Sequence, residues 1–336
     1  MPASRDADFM REALTEARRA LGRTSPNPAV GAIIVRNDRI IARGHHRAAG
    51  QPHAEIEALN LLPPRARTSD ATLYVTLEPC STHGRTPPCC EAIIHRRFSR
   101  VIYGATDPNP AHRGRARRLL TAAGIDVTTG VLRAECTDLN RFWNHWIQTG
   151  RPYVIAKCGQ SLDGRISSHP ESRWITDSDS RADAMQLRAQ VDAVLVGAQT
   201  VRDDDPSLTV RGIKGARQPL RLVRSRTKKL PPSSKILTDR HRAKTEIVSG
   251  PFDDIFTHLG SRNVTSLLVE GGGETLGELF DQNLVDEIHF YTSPTLIGGP
   301  IPSVAGRGVA DPSDAPKLKN VTYTQIGNDL KTTARF

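Results

Sequence analysis

The first half of the chain carries residues suited to binding a transition metal. His53, Cys80 and Cys89 offer one nitrogen and two sulfur ligands, and Glu55 follows His53 by two residues. A catalytic zinc ion commonly has three protein ligands and keeps a fourth position for water. Zinc lowers the pKa of that water, so that hydroxide is available near neutral pH. If His53 and Glu55 lie at a helix start, the carboxylate can reach this water as a proton carrier without being a ligand.

The order of these residues is typical of the zinc-dependent nucleobase deaminases, in which His-x-Glu is followed by Pro-Cys and a second Cys. The spacing differs, because eight residues separate Cys80 from Cys89 here, whereas the common pattern has two. Each residue alone has a simpler interpretation, with His53 solvated at a helix start and the cysteines buried as thiols. The ordered set, with Pro88 before Cys89 at a predicted helix start, nevertheless predicts a zinc site.

Other residues near this set receive simpler interpretations. Cys90 would point away from its neighbour on a helix and is predicted to be a core thiol. His83 lies between the two cysteines, and two roles stay open for it, contact with substrate or exposure to solvent. Three further histidines of this half are predicted to lie at the surface, namely His45, His46 and His112.

Alternating elements must position these residues. Apolar periodicity predicts a helix over 7–22, a hairpin from strands 29–35 and 40–42, a helix over 53–62 and a strand over 72–77. Helix and strand patterns continue to a helix over 135–148, and a second alternating series begins at a strand over 153–157. Alternation of this kind indicates mixed α/β architecture. We therefore predict two α/β domains, 1–147 and 148–336.

Composition restricts the class of protein. The 336 residues are 38% hydrophobic and 24% charged, and they contain no apolar run long enough for a membrane helix or a secretory signal. Five cysteines are too few for a disulfide framework, which favours a reducing, cytoplasmic location. The net charge is +10, but it is spread along the chain. Residues 1–150 have 21 arginines, no lysine and 14 acidic residues. This distribution favours a small anionic ligand over nucleic acid.

Further motifs follow one another in a fixed order along most of the chain. In the first half these motifs are Thr24-x-Pro26-Asn27-Pro28-x-Val30-Gly31, Ala49-Gly50-x-Pro52-His53-Ala54-Glu55, Thr76–Cys89 and Asp107-Pro108-Asn109-Pro110. In the second half they are Ser161–Ile166, Ser172-x-Trp174-Ile175-Thr176, Gly197-x-x-Thr200, Asp205–Arg211 and Val269-Glu270-Gly271-Gly272. Single motifs could mislead, but the ordered set is specific. It resembles the RibD family, the bifunctional pyrimidine deaminase/reductases of riboflavin biosynthesis.

The resemblance implies a cytidine-deaminase-like α/β/α domain followed by a dihydrofolate-reductase-like α/β domain. It implies one zinc ion per chain on His53, Cys80 and Cys89, with Glu55 as the catalytic proton carrier. The first reaction removes the 2-amino group of 2,5-diamino-6-(5-phosphoribosylamino)pyrimidin-4(3H)-one as ammonia. The second uses NADPH to reduce the ribosyl group to ribityl. The partner is thus a phosphorylated pyrimidine, with no nucleic acid or membrane, and a homo-oligomer is expected.

The second half has a glycine-rich turn, Gly271-Gly272-Gly273, between an apolar strand and a helix. Backbone amides at such a helix start suit a phosphate, although a simple tight turn explains the motif equally well. The resemblance places NADPH contacts on Gln160, Trp174, Thr200, Asp204, Gly272, Gly273, Glu274, Thr275, Leu276, Gly277 and Glu278. It places substrate contacts on Ser172, Arg188, Leu208, Arg211 and Glu270. Arg188 and Arg211 could each form a forked contact with the substrate phosphate, and Glu270 could accept from ribose hydroxyls.

Three segments depart from the family pattern. Arg224-Ser225-Arg226 replaces an apolar residue followed by Asp-Ser, so that Arg226 occupies the position of a serine expected to touch NADPH. Two outcomes stay open, additional binding of the 2′-phosphate of the cofactor or a weakened reductase. The segments around His169-Pro170 and from Ala111 to Gly114 also differ. Asp203-Asp204-Asp205 is predicted to be a loop rather than a cation site.

Two other functions are compatible with part of the pattern. A deaminase acting on a base in RNA or DNA would explain the zinc motif and the basic first half, and its binding would depend steeply on salt. It leaves the ordered motifs of the second half unexplained. Alternatively, the second domain could be a silent oligomerisation scaffold, which a failure to oxidise NADPH would support.

Overall fold

The computed structural model describes residues 2–63, 66–82, 87–110, 112–166, 174–227 and 229–336. The chain divides into two units, Met1–Thr149 and Gly150–Phe336. Among the described residues, no helix combines the length and the apolar character that a bilayer crossing requires.

The first unit is built from six helices and five strands in the described residues. The helices are α1 (Pro2–Arg18), α2 (Ala54–Asn60), α3 (Cys89–Arg96), α4 (Arg115–Ala122), α5 (Arg133–Leu139) and α6 (Arg141–Thr149). The strands are β1 (Gly31–Arg36), β2 (Arg39–His45), β3 (Thr72–Leu77), β4 (Arg100–Ala105) and β5 (Asp126–Thr129). The predicted hairpin, the helix after His53 and the strand before Glu78 are confirmed.

The five strands form one sheet with the order β2-β1-β3-β4-β5, in which β3, β4 and β5 are parallel. Side chains alternate between its faces, as the period of two in a strand requires. Leu73 and Val75 pack with α2 and α3 on one face, whereas Tyr74 packs with α1 on the other. Helices therefore cover both faces in an α/β/α arrangement, and α2 and α3 lie on the same side.

Gly44 brings α2 close to the sheet. A side chain at this position would meet the backbone of α2, with a Cβ only 2.4 Å from both the oxygen of Ala54 and the nitrogen of Ala58. Glycine has no Cβ, so the helix can pack directly on β2. This contact places the first turn of α2, with Glu55, at the carboxyl end of β3.

The helix predicted over 135–148 is in fact two helices, α5 and α6, separated at Asn140. The Asn140 side chain is buried and forms two hydrogen bonds with the backbone of Ala29, accepting from the nitrogen at 2.8 Å and donating to the oxygen at 2.9 Å. The backbone of Asn140 leaves helical geometry at that point. A partner 111 residues away in sequence therefore overrides the helical periodicity.

The second unit contains the remaining elements. The helices are α7 (Ser178–Gln190), α8 (Ala198–Asp204), α9 (Lys235–Thr238), α10 (Phe252–Ser261) and α11 (Gly273–Asp281). The strands are β6 (Tyr153–Ser161), β7 (Ala193–Gly197), β8 (Leu220–Arg224), β9 (Thr245–Val248), β10 (Ser266–Val269), β11 (Glu287–Ser293), β12 (Lys319–Ile326) and β13 (Asp329–Arg335). The acidic run predicted as a loop contributes Asp203 and Asp204 to α8.

The eight strands form one mixed sheet with the order β12-β13-β11-β6-β10-β7-β8-β9. The six strands from β11 to β9 in this order are parallel, while β13 pairs antiparallel with β11 and β12. Strand β10 lies between β6 and β7 in the sheet, although β6 and β7 follow one another in the sequence. The carboxyl ends of β6, β10, β7 and β8 therefore stand side by side, where ligands of open α/β sheets bind.

Candidate active sites and family membership

The predicted metal ligands of the first unit converge from three separate elements. His53 caps the start of α2, Cys80 follows β3, and Cys89 is the first residue of α3. The Nδ1 atom of His53 lies 3.5 Å from Sγ of Cys80 and 3.3 Å from Sγ of Cys89. The three ligand atoms lie within 4.8 Å of one another.

This donor set fits a catalytic zinc ion, because one imidazole and two thiols match the ligands of known zinc enzymes and leave a position for water. The backbone N–H of Cys89 donates to Sγ of Cys80 at 3.2 Å. Hydrogen bonds from Cys89 and His53 lower the pKa of Cys80 to about 4, although burial opposes the shift. Cys80 is therefore ready to act as a thiolate ligand. The pKa of Cys89 is raised, because this buried thiol donates to Cys80.

Glu55 lies in the first turn of α2 and is 3% exposed. Burial raises the pKa of Glu55 to about 7, with a further contribution from the charge of Cys80. A carboxyl group with its pKa near neutrality can both accept and donate protons at physiological pH. Its position beside His53, on the same helix start, matches the predicted role of a proton carrier.

His46 corrects one prediction of the sequence analysis, because it is buried rather than at the surface, with 2% of its area exposed. Its Nδ1 donates to the carbonyl of Pro52 at 3.0 Å, and its Nε2 accepts from the side-chain amide of Asn27 at 3.0 Å. The ring packs edge-on against His53, with centroids 5.3 Å apart. Burial lowers the pKa of His46. The ring of His46 therefore packs against the ring of His53 and helps to hold it in position.

Glu78 is a structural residue that the sequence analysis treated only as part of a motif. Its buried carboxylate accepts hydrogen bonds from the backbone of Asp107 at 3.2 Å, Gly114 at 3.0 Å and Ala116 at 3.1 Å. These bonds tie the segment after β4 to the start of α4. Cys90, which follows the predicted ligand Cys89, is a buried core thiol, as predicted. Burial raises the pKa of Cys90 to about 12.

The second unit has a cavity of about 1040 Å³ at the carboxyl ends of its parallel strands. Most of the residues predicted to bind cofactor or substrate line it, namely Trp174, Arg188, Thr200, Asp204, Leu208, Arg211, Glu270, Gly272, Gly273, Glu274, Thr275 and Glu278. Gly273 begins α11 in close contact with the backbone of Pro302, and a side chain there would place its Cβ only 2.2 Å from the oxygen of Pro302.

Among the predicted residues that the structure describes, three do not line this cavity. The side-chain amide of Gln160 donates to Thr292 at 3.3 Å. Leu276 is fully buried in the core, and Gly277 packs against the backbone of Ala305. Ser172 lies outside the described residues, as do His83 and the segment around His169-Pro170.

The sequence analysis predicted that Arg188 could form a forked contact with the substrate phosphate. In the structure, Glu270 occupies this fork. Arg188 donates from Nε at 2.8 Å and from Nη2 at 2.7 Å to the two oxygens of Glu270, and from Nη1 to the carbonyl of Thr209 at 2.9 Å. Burial alone would raise the pKa of Glu270, but the charges of Arg188 and Lys157 hold it below its ordinary value. The pair presents an ionised carboxylate to the cavity, and Arg211 is an exposed cation that also lines it.

Each half of the chain matches a known protein family. Residues 3–105 match the cytidine and deoxycytidylate deaminase zinc-binding region, and residues 152–332 match the RibD C-terminal domain. The riboflavin biosynthesis protein RibD of Bacillus amyloliquefaciens is 38% identical over 97% of this chain and 95% of its own length. The corresponding protein of Escherichia coli is 36% identical over 97% of this chain and 98% of its own. The chain belongs to the RibD family.

Solved RibD structures have the same architecture. The structure of Acinetobacter baumannii RibD in form 2 superposes with a TM-score of 0.91 at 31% identity, covering 100% of this chain and 99% of that one. A Thermotoga maritima diaminohydroxyphosphoribosylaminopyrimidine deaminase/5-amino-6-(5-phosphoribosylamino)uracil reductase superposes with a TM-score of 0.88 at 32% identity, covering 100% and 99%.

Membership of the RibD family confirms the predicted fold class, and it confirms a bifunctional deaminase/reductase of riboflavin biosynthesis that uses Zn²⁺ and NADPH. One predicted cofactor contact also takes part in an ion pair within the chain. Both carboxylate oxygens of Glu278, a predicted NADPH contact, accept hydrogen bonds from Arg224, at 2.6 and 2.7 Å. Arg224 belongs to the segment in which this chain departs from the RibD pattern.

Proposed function

We propose that residues 1–147 deaminate 2,5-diamino-6-(5-phosphoribosylamino)pyrimidin-4(3H)-one and that residues 148–336 reduce the ribosyl group of the product with NADPH. The observation that carries the first step is the cluster of His53, Cys80 and Cys89 beside the buried Glu55. The second step is supported by the cavity at the strand ends of the second unit, which lies within the match to the RibD C-terminal domain. The names of the solved relatives support the order of the two substrates.

In the deaminase half, His53, Cys80 and Cys89 would hold the zinc ion. When bound, zinc supplies the Lewis acidity that activates a water molecule for attack on C2 of the pyrimidine. Glu55 accepts a proton from the attacking water and delivers protons to the ring nitrogen and to the leaving amino group. The C2–N bond breaks, a C2–O bond takes its place, and ammonia leaves. Burial of Glu55 keeps its carboxylate away from competing bulk water.

In the reductase half, the backbone at Gly272 and Gly273 would receive the pyrophosphate of the cofactor at the start of α11. NADPH supplies the hydride, so the residues of the chain mainly align donor and acceptor. Arg211 anchors the substrate phosphate at the rim of the cavity. Arg188 holds Glu270 ionised and oriented, and Glu270 accepts hydrogen bonds from hydroxyl groups of the open-chain sugar.

The test is anaerobic mixing of the zinc-loaded protein with the diamino substrate and NADPH, while ammonia and oxidised cofactor are measured separately. We expect ammonia to appear first and cofactor oxidation to follow it. Supplying the deaminated product directly should give cofactor oxidation without ammonia. Ammonia release without any cofactor oxidation by well-folded protein would contradict the reductase half and favour a scaffold role for it.

We also propose a cytoplasmic homo-oligomer. All five cysteines are free, which suits a reducing compartment. The edge strand β12 is exposed along almost its whole length, and Tyr323 on it is 70% exposed. A second copy of the chain that packs against β12 would bury the exposed ring of Tyr323. Sedimentation of the purified protein as a monomer at micromolar concentration would contradict this part.

A further inference from the structure

The far end of the reductase cavity lies at the carboxyl end of β8. Strand β8 stands two positions from β10 in the sheet, so its end lies about 10 Å from the end of β10. The pair of Arg188 and Glu270 and the glycine turn are at the β10 end. The same cavity reaches the end of β8, so a dinucleotide whose reactive ring meets the substrate beside Glu270 has room to extend its adenosine end towards β8.

Among the described cations that line the cavity at the β8 end, Arg226 differs from Arg224 and Lys235 in having no carboxylate partner. Arg224 pairs through both of its terminal nitrogens with Glu278 and stacks on Phe252, with 4.1 Å between the guanidinium carbon and the ring centroid. Lys235 pairs with Asp205 at 3.3 Å. Arg226 is exposed and lines the cavity, and no carboxylate in the described part of the chain pairs with it. Its guanidinium is therefore available to an anion.

A second polar group at the same place also lacks a partner. Ser225 is 4% exposed, lines the cavity beside Arg226, and has a buried Oγ without a hydrogen-bond partner among the described residues. A buried hydroxyl without a partner is costly, and such groups in native proteins commonly mark the place of a ligand or water. A smaller cavity of about 400 Å³ adjoins the first and shares Arg224, Ser225 and Arg226 with it.

We propose that Arg226 and Ser225 form the subsite for the 2′-phosphate of NADPH, and that they give this enzyme its preference for NADPH over NADH. The guanidinium offers a fork to a phosphate monoester, and the hydroxyl of Ser225 donates to the same group. Arg224 has a supporting part, because its ion pair neutralises Glu278, which would otherwise repel a phosphate. This inference rests on the reductase half of the proposed function.

The test compares binding of 2′,5′-ADP with binding of 5′-AMP by calorimetry, because the two ligands differ only in the 2′-phosphate. In Arg226→Ser we expect the dissociation constant of 2′,5′-ADP to rise about ten- to a hundredfold, with less than a twofold change for 5′-AMP. In Ser225→Ala, the dissociation constant of 2′,5′-ADP should rise by a smaller factor. Lys229→Ser is the matched control, since it removes an exposed positive charge that does not line the cavity.

Three results would overturn the inference. One is an unchanged preference for 2′,5′-ADP in Arg226→Ser, and another is an equal loss in the Lys229→Ser control. The third is that ribose 5-phosphate competes with 2′,5′-ADP and that Arg226→Ser weakens the binding of both by the same factor. This result would assign the subsite to the phosphate of the substrate. If the native protein bound neither NADPH nor 2′,5′-ADP, the reductase half of the proposed function would fail as well. If the native protein binds NADPH normally, any of the three results overturns this inference alone.

Discussion

Each half of the molecule places a glutamate in its site, with 3% of Glu55 and 12% of the Glu270 side chain exposed, and the two carboxyl groups have opposite properties. Burial raises the pKa of Glu55 to about 7, and the negative charge of Cys80 adds to the shift. Burial also opposes ionisation of Glu270, but the charges of Arg188 and Lys157 lower its pKa. Burial penalises the charged form of both, so the neighbouring charges decide the difference. The first glutamate is suited to proton transfer, and the second is suited to holding a fixed negative charge.

The two sites also differ in how they are assembled. The deaminase site takes its four residues from one stretch of the chain, 53–89, at two helix starts and one strand end. The reductase cavity draws residues from Lys157 to Ala305. A metal-assisted reaction needs a few ligands at fixed distances, whereas a dinucleotide needs a long surface with separate subsites. The following predictions test whether the two sites work independently.

The largest expected effect is that of Cys80→Ser, which removes a thiolate ligand. We expect loss of bound zinc and of ammonia release together, while oxidation of NADPH with the deaminated substrate continues. Elemental analysis and the two separate assays check this. Cys90→Ala is the control, because Cys90 is a core thiol next to the ligand Cys89, and it should retain zinc. Loss of both activities in a folded Cys80→Ser protein would show that the sites are not separate.

Glu55→Gln should keep zinc but lower the rate of ammonia release by about 10²–10⁴-fold, the usual contribution of general acid–base catalysis. The amide has a similar shape but cannot carry the proton. Glu57→Gln is the matched control on the same helix, since Glu57 pairs with Arg47 at 2.8 Å instead. Near-normal deamination by Glu55→Gln would remove Glu55 from its proposed role.

Arg188→Met should destabilise the reductase half by about 3–5 kcal/mol, because it leaves Glu270 buried without its partner. Hydrogen exchange of peptides from β10 should become faster, while exchange in the β3 region stays unchanged. The double variant with Glu270→Gln removes both charges and should recover part of the lost stability. Equal protection of β10 in native protein and in Arg188→Met would show that the ion pair has little influence on stability.

The smallest expected effect is a pH dependence of the same half. The pKa of Glu270 is lower in the folded protein than the ordinary value near 4.3. Its contribution to stability is therefore complete above that ordinary value, and it is lost as the pH falls towards the lowered pKa. Protection of β10 should decline more steeply with acid in the native protein than in the double variant. Parallel declines would assign the acid sensitivity to other groups.

The sequence alone was sufficient for the fold class and for choosing three residues that the structure brings close enough to hold a metal ion. His53, Cys80 and Cys89 each sit at the end of a short element, and such ends can be located from local patterns of apolar residues, proline and helix starts. The helix that carries Cys89 is the next element after β3, so the residues at these two ends could be expected to lie close together. Family membership, fold class and cofactors were all predicted at this stage and are confirmed.

Only the tertiary structure decided which charged groups pair and which histidines are buried. Arg188 and Glu270 are 82 residues apart, and Arg224 and Glu278 are 54 apart. Their pairing depends on β10 entering the sheet between β6 and β7, an order that local periodicity does not encode. His46 is buried because Pro52 and Asn27 complete its hydrogen bonds, although a histidine in a polar stretch favours the surface. Local patterns determine elements and their ends, while long-range electrostatics depend on which ends become neighbours.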